Sequence, residues 1–216
     1  MHVLRVNVGC GPSPTPGWAN IDNSPSLALA RVPQAATAFL ERIGLIGAEQ
    51  ARMVRVARTG AVRRGRADRL PFADSTVSVV YSSHMLEHLG RDEARAFLLE
   101  CHRVLRPGGT LRLVVPDLEG YVSAYREDGD ADRLIDSLRM AQSKEQSTLA
   151  RLLVGFRGHR WMYDSRSLKA FVEMAGFEAA ELLAPGETRL EDPAGLDLRE
   201  REGDSIYLEA RKGSAN

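Results

Sequence analysis

The sequence predicts an α/β protein built on a doubly wound, seven-stranded, mostly parallel sheet with helices on both faces. Three observations lead there. Short apolar runs alternate along the chain with stretches whose apolar residues recur every three to four positions, so strands and helices take turns. The first run empties into a glycine-rich turn, Gly9-Cys10-Gly11. The strongest run, Val77 to Tyr81, is short and apolar, as a strand covered on both faces should be. At 216 residues the chain suits one domain, 1–216, large enough to bury roughly 70% of its unfolded surface.

In chain order, Leu4 to Val8 is the first strand and Trp18 to Asp22 the second. Only ten residues separate Gly11 from Asp22, fewer than a strand–helix–strand crossover needs. The first helix is therefore expected to be lost or reduced to a turn. Between Ser26 and Thr59, Leu29, Phe39, Leu40, Ile43, Leu45, Met53, Val54 and Val56 keep helical spacing, with breaks at Gly44 and Gly47. These helices are expected to cover the face left bare. Ala61 to Ala67 is a weak third strand and Val77 to Tyr81 the fourth. Asp92 opens a helix with the apolar face Ala94, Phe97, Leu98, Cys101, Val104 and Leu105, expected to end at Pro107-Gly108-Gly109. Leu111 to Val115 is the next strand, running into Pro116-Asp117. Leu118 to Phe156 reads as polar helix interrupted near Asp128-Gly129-Asp130, and 118–164 is expected to form an inserted helical lid. Ser165 is read as the cap of a helix bearing Leu168, Phe171, Val172 and Ala175, stopped by Gly176. Strands at Phe177 to Leu183 and Ile206 to Ala210 follow, joined by a loop or hairpin tip from Glu187 to Gly203.

The formal net charge is zero, with 44% hydrophobic and 27% charged residues, which gives no field for nucleic acid or anionic lipid. Seven arginines between Arg52 and Arg69 lack interleaved aromatics and read as a solvated face rather than a nucleic-acid patch. Two cysteines, Cys10 and Cys101, support neither a disulfide framework nor a zinc ribbon. With no signal peptide and no run of eighteen apolar residues, a cytoplasmic protein with no membrane partner is expected.

Four pieces carry chemistry. Asn7-Val8-Gly9-Cys10-Gly11 is a strand emptying into a turn where the missing Cβ lets a ligand approach the backbone. Asp22 ends the second strand and is placed to accept hydrogen bonds from two ribose hydroxyls. Ala67-Asp68-Arg69-Leu70-Pro71-Phe72 precedes the fourth strand, and Ser82-Ser83-His84-Met85-Leu86-Glu87-His88 follows it. Arg103-Val104-Leu105-Arg106-Pro107-Gly108-Gly109 precedes the fifth.

In order and spacing these pieces resemble the class I methyltransferases that use S-adenosylmethionine (SAM), and the match spans roughly residues 4 to 116. The segment His159-Arg160-Trp161-Met162-Tyr163-Asp164 extends it and resembles methyltransferases associated with cell-surface polysaccharides. The resemblance implies a Rossmann-like methyltransferase fold whose last strand is antiparallel. It implies that Gly9, Cys10 and Gly11 lie against the methionine part of SAM, that Asp22 holds the ribose, and that Asp68, Arg69 and Leu70 hold the adenine. Ser82 and Ser83 would line the cofactor. Asn7 stands where many members carry an acid, and Ser13 where many carry a third glycine, so the amino group of SAM would be held differently here.

The implied reaction is in-line attack on the sulfonium methyl, assisted by a general base. His84 and His159 are the candidate bases because imidazole titrates near neutrality, and Asp117 is a candidate for binding a substrate hydroxyl or a cation. The expected acceptor is a sugar or glycan hydroxyl, since the 118–164 region is rich in Arg, Asp, Tyr and Trp; another small metabolite is the alternative. Some sugar methyltransferases of this fold use magnesium, which would polarise such a hydroxyl. Two readings of other classes stand beside this one: a non-catalytic SAM-binding regulatory module, and a zinc peptidase through His84-x-x-Glu87-His88, the inverted zinc-peptidase spacing.

Overall fold

The computed structural model describes residues 3–140, 158–193 and 195–214. Seven strands form one sheet: β1 (Arg5–Val8), β2 (Ala19–Asp22), β3 (Val62–Arg64), β4 (Val77–Ser83), β5 (Leu105–Pro116), β6 (Phe177–Leu183) and β7 (Ser205–Lys212). Their spatial order is β3-β2-β1-β4-β5-β7-β6. The pairings from β3 across to β5 are parallel, and β7 runs antiparallel to both β5 and β6. This is the doubly wound, mostly parallel sheet the sequence predicts.

Residues 11–18, between β1 and β2, hold turns and no helix, as the short spacing requires. A 3-10 helix at Pro25–Arg31 and the helices α1 (Gln34–Arg42) and α2 (Ala48–Arg58) follow β2 instead. Leu27 and Met53 pack there with Cys10 and with Val62 of β3, so the 3-10 helix and α2 lean on the tip of the glycine turn. Helices α3 (Arg91–Val104) and α6 (Ser165–Met174) place Ala94, Phe97, Leu98, Cys101, Val104, Leu168, Phe171 and Val172 on the main core with the inward residues of β1, β4, β5 and β7. The opposite side of the central strands presents Trp18, Val79, Tyr81, Val114, Leu183 and Tyr207, packed by Leu190 and Leu196 of the segment between β6 and β7. That segment, expected as a loop or hairpin tip, is a loop that packs two partly buried leucines on this cluster.

Its fastening is an ion pair across the sheet. Arg112 on β5 faces Glu209 on β7 at 2.6 Å, both fully buried. Glu209 also accepts from the Thr188 hydroxyl at 2.6 Å and the Arg189 N–H at 2.8 Å, while Arg112 donates to the Glu187 carbonyl at 3.0 Å.

Two boundaries differ from expectation. Helix α3 ends at Val104, and Arg106–Gly109 lie inside β5 rather than before it: Val77 pairs with Leu105 and Val79 with Thr110, so the Pro-Gly-Gly run is looped out of register. Asp164, not Ser165, caps α6, accepting from the Ser167 N–H at 2.6 Å. The region expected as a lid begins with α4 (Leu118–Asp128) and α5 (Ala131–Leu138), separated at Gly129, and neither contributes a buried residue. The rest of that expectation, residues 141–157, lies outside the described residues. Among the described residues no helix is long and apolar enough to cross a membrane.

Candidate active site

Strand order reverses between β1 and β4, so the loops leaving those two strand ends diverge and leave a crevice. A cavity of about 940 Å³ opens there, at the upper end of the size of small-molecule sites.

One end is built from the tips of β1 and β2. Gly9 and Gly11 adopt the left-handed conformation, with φ of +73° and +51°. A Cβ on Gly9 would lie 2.7 Å from Met85 Cβ and closer still to Met85 Cγ, whereas one on Gly11 would meet open space. Gly9 therefore lets Met85 close against the turn, and Gly11 leaves backbone open to a ligand. The Gly11 N–H donates to Asp22 at 2.9 Å and the Ser24 N–H to its other oxygen at 2.6 Å. These two bonds fix the carboxylate while leaving each oxygen a further lone pair. Burial, with the Asp22 charge adding to it, pushes the Cys10 thiol up to about 12. Asp68 lies on the exposed rim and pairs with Arg66 at 2.5 and 2.8 Å, which lowers its carboxyl pKa.

Gly9, Cys10, Gly11, Asp22, Asp68 and Ser83 line this cavity. Asn7, Arg69, Leu70 and Ser82 do not. Asn7 is buried beside the strand and donates to Thr15 Oγ1 at 2.9 Å; Ser82 donates to the Val8 carbonyl at 2.8 Å, tying β4 to β1. Arg69 is exposed, and Leu70 is a core residue whose N–H donates to Glu100 at 2.6 Å.

The other end gathers His84, His88, Arg139, His159, Glu200 and Arg201. His84 follows β4 with φ +48°, its ring held from both sides: Nδ1 lies 3.2 Å from Arg201 Nη1 and Nε2 3.1 Å from Ser205 Oγ. A guanidinium only donates, so Nδ1 accepts and Nε2 carries the proton. His88 Nδ1 lies 3.1 Å from the Gly158 carbonyl, which only accepts, so there the proton is on Nδ1. His159 stands edge-on to His88 with ring centroids 5.1 Å apart, and its buried Nδ1 has no hydrogen-bond partner. Burial lowers its pKa, against the Glu87 charge, which raises it.

Beneath these rings lies Glu87, 1% exposed, with neither carboxylate oxygen accepting a hydrogen bond. Its Oε1 is 3.4 Å from His84 Nδ1 and 3.8 Å from His88 Nε2. The Glu87 carbonyl accepts from the Arg160 and Trp161 N–H groups at 2.8 and 3.1 Å, which brings the His159 segment to this end.

Asp117 stands apart. It caps α4, accepting from the Glu119 N–H at 3.0 Å, and lines a separate cavity of about 330 Å³ with Tyr121, Tyr125 and Arg133. The zinc-peptidase reading fails on geometry. That motif needs both histidines on one α-helix, whereas His84 is left-handed and only Leu86–His88 form a 3-10 turn.

Arg139, Glu200 and Arg201 were not among the residues expected from sequence, and Glu87 was named there only through the zinc-peptidase spacing. Glu87 had a local signal, an acid flanked by histidines one and three positions away. Glu200 and Arg201 had none: they arrive because Tyr81 and Tyr207 donate to Glu200 at 2.7 Å each.

Comparison with known proteins agrees with this architecture. Residues 34–113 match the family model described as a methyltransferase domain, a stretch that holds Asp68, Ser83 and His84 but begins after the glycine turn and Asp22. A Mycolicibacterium smegmatis protein named as a probable S-adenosylmethionine-dependent methyltransferase is 43% identical over 56 residues, 26% of this chain and 21% of that protein. The matched stretch thus spans about a fifth of that relative's length. Among solved structures, a SAM-dependent methyltransferase from Methanosarcina mazei superposes over 100% of this chain and 95% of its own, with 17% identity and a TM-score of 0.55. A SAM-dependent methyltransferase from Thermotoga maritima superposes over 98% and 83%, with 17% identity and a TM-score of 0.53. The chain therefore matches the methyltransferase-domain family over residues 34–113, and as a whole it has the Rossmann-like fold of the SAM-dependent methyltransferases.

Proposed function

We propose that the protein binds SAM in the large cavity and transfers its methyl group to a hydroxyl of a small polar acceptor, a sugar or glycan being the class favoured. The observation that carries the reading is the cavity's two unlike ends. One offers an open glycine backbone and a fixed carboxylate with lone pairs to spare, the needs of a nucleoside. The other offers imidazoles beside Arg139, Glu200 and Arg201, the needs of a hydroxyl-rich acceptor that must lose a proton.

In this reading Asp22 accepts from the ribose hydroxyls, Asp68 turns from Arg66 towards the adenine edge, and Ser83 borders the methionine portion. SAM supplies an activated methyl on sulfur. The acceptor oxygen forms its bond to carbon as the sulfur–carbon bond breaks, and the hydroxyl proton goes to an imidazole. His84 has its basic nitrogen facing Arg201, so His159, whose Nδ1 has no partner, is the better placed of the two. Asp117 and the tyrosines of the smaller cavity would hold more distant hydroxyls of an oligosaccharide.

Calorimetry with SAM and S-adenosylhomocysteine tests the cofactor half. One-to-one binding is expected, weakened about 10- to 150-fold by Asp22→Ala, the range for hydrogen bonds to a charged group. A screen of sugars and other hydroxyl compounds for S-adenosylhomocysteine release tests the acceptor half. No binding of either nucleoside would end the reading, and binding without turnover on any acceptor would favour the regulatory-module reading.

A further inference from the structure

We propose that Glu87, His88 and His159 form a binding site for one divalent first-row transition-metal ion, of the zinc or cobalt class, at the acceptor end of the cavity. Each residue offers one ligand atom, and those atoms all lie within 4.8 Å of one another. The four-coordinate zinc ion, with bonds of about 2.0–2.1 Å, wants ligands about 3.4 Å apart, so loading requires the widest pair to close by up to about 1.4 Å.

The case rests on where the protons are. The Gly158 carbonyl fixes the His88 proton on Nδ1 and leaves the Nε2 lone pair directed to the Glu87 side, 3.8 Å from Oε1. An imidazole held by a backbone carbonyl on one nitrogen is the usual arrangement of a metal-binding histidine. His84 cannot donate to Glu87 either, because its nearer nitrogen already accepts from Arg201. His159 adds a buried Nδ1 with no partner. A carboxylate, 1% exposed and accepting no hydrogen bond, thus faces the His88 lone pair with no proton between them, and His159 brings a further imidazole nitrogen within 4.8 Å. Burying such a charge unpaired is costly, and a cation in the middle removes that cost.

The ligand set also selects the ion. Two imidazoles and one carboxylate suit borderline transition metals, whereas magnesium takes oxygen ligands and keeps its waters. The magnesium expected from resemblance therefore does not fit these three residues. His88 and His159 line the cavity, so a fourth position on the ion faces it. There an acceptor hydroxyl would bind and become more acidic, so with the ion bound His159 would serve as a ligand in place of the base role it has in the metal-free reading, and the proton would pass to solvent. This role in transfer rests on the methyltransferase reading; the site itself does not.

Titration calorimetry with zinc chloride and with magnesium chloride, on full-length protein stripped by chelator, tests the site. One zinc per chain is expected, bound at least 30-fold more weakly by Glu87→Gln and by His159→Asn, with magnesium at least 30-fold weaker on the wild type. Should those variants misfold, long-range nitrogen NMR of the wild-type imidazoles decides: zinc should move the His88 and His159 ring signals and leave His102 in place. Absent or variant-insensitive zinc binding, or unmoved His88 and His159 signals, would overturn the proposal. S-adenosylhomocysteine titrated into the same samples separates the two readings. Nucleoside binding without zinc binding sinks the metal site alone, and zinc binding without nucleoside binding sinks the methyltransferase reading alone.

Discussion

Gly9 and Gly11 are two positions apart, yet a methyl group added to each should have different consequences. Gly9→Ala meets both a left-handed backbone and the near end of Met85, which cannot swing away without moving its own Cα. Gly11→Ala meets only the backbone cost, about 1–2 kcal/mol. Thermal unfolding should therefore rank Gly9→Ala as the less stable variant by at least about 1 kcal/mol, the lower end of overpacking costs. Gly11→Ala, which leaves the fold nearly intact, should reduce SAM affinity by intruding on the open side of the turn. Equal losses of stability in both variants would contradict this account.

Strands and helices hold through a few buried polar ties. Removing one partner of Arg112–Glu209 leaves a fully buried charge alone, so Glu209→Ala should lower unfolding free energy by about 3–5 kcal/mol. It should also loosen residues 187–189, which hydrogen exchange can read. Glu100 ties α3 to the Leu70–Phe72 strap: it accepts from the Leu70 N–H and from Arg103, which itself donates to the Phe72 carbonyl and pairs with Asp74. Arg103, first, holds the Glu100 carboxyl below its ordinary value of about 4.3. A depressed acid contributes stability above its unfolded pKa and loses it as pH falls through the folded one. Denaturant midpoints should thus fall below about pH 4, with a shallower slope in Glu100→Gln.

Much of this element pattern was legible in the sequence. All seven strands were, most of them as short apolar runs between turn residues and β3, Val-Arg-Arg, only weakly, and so was the missing first helix, because ten residues cannot hold one. The end of α3 was not, since Pro107-Gly108-Gly109 marks a helix stop on sequence grounds and here is an excursion within a strand. In the site, the glycine turn and Asp22 were legible because strand tips converge by topology alone. Arg201 was not, because a tertiary tie from Tyr81 to Glu200 brings its segment to His84 from 117 residues away.

For the molecule entire, ligand binding should appear as stability. S-adenosylhomocysteine at a hundred times its dissociation constant should add about 2.7 kcal/mol, or about 5–11 °C in melting temperature for a chain of this length. An unchanged melting temperature at that excess would argue against the cavity as its site. The sheet's order also bears on how the protein is made. β7 comes last along the chain yet sits between β5 and β6. Until β7 has been made and docked, β5 presents a bare edge to neighbouring chains and β6 has no strand to pair with. Trimming residues 205–212 should thus yield inclusion bodies rather than a shortened folded chain, and newly made chains should depend on chaperones until that slot is filled.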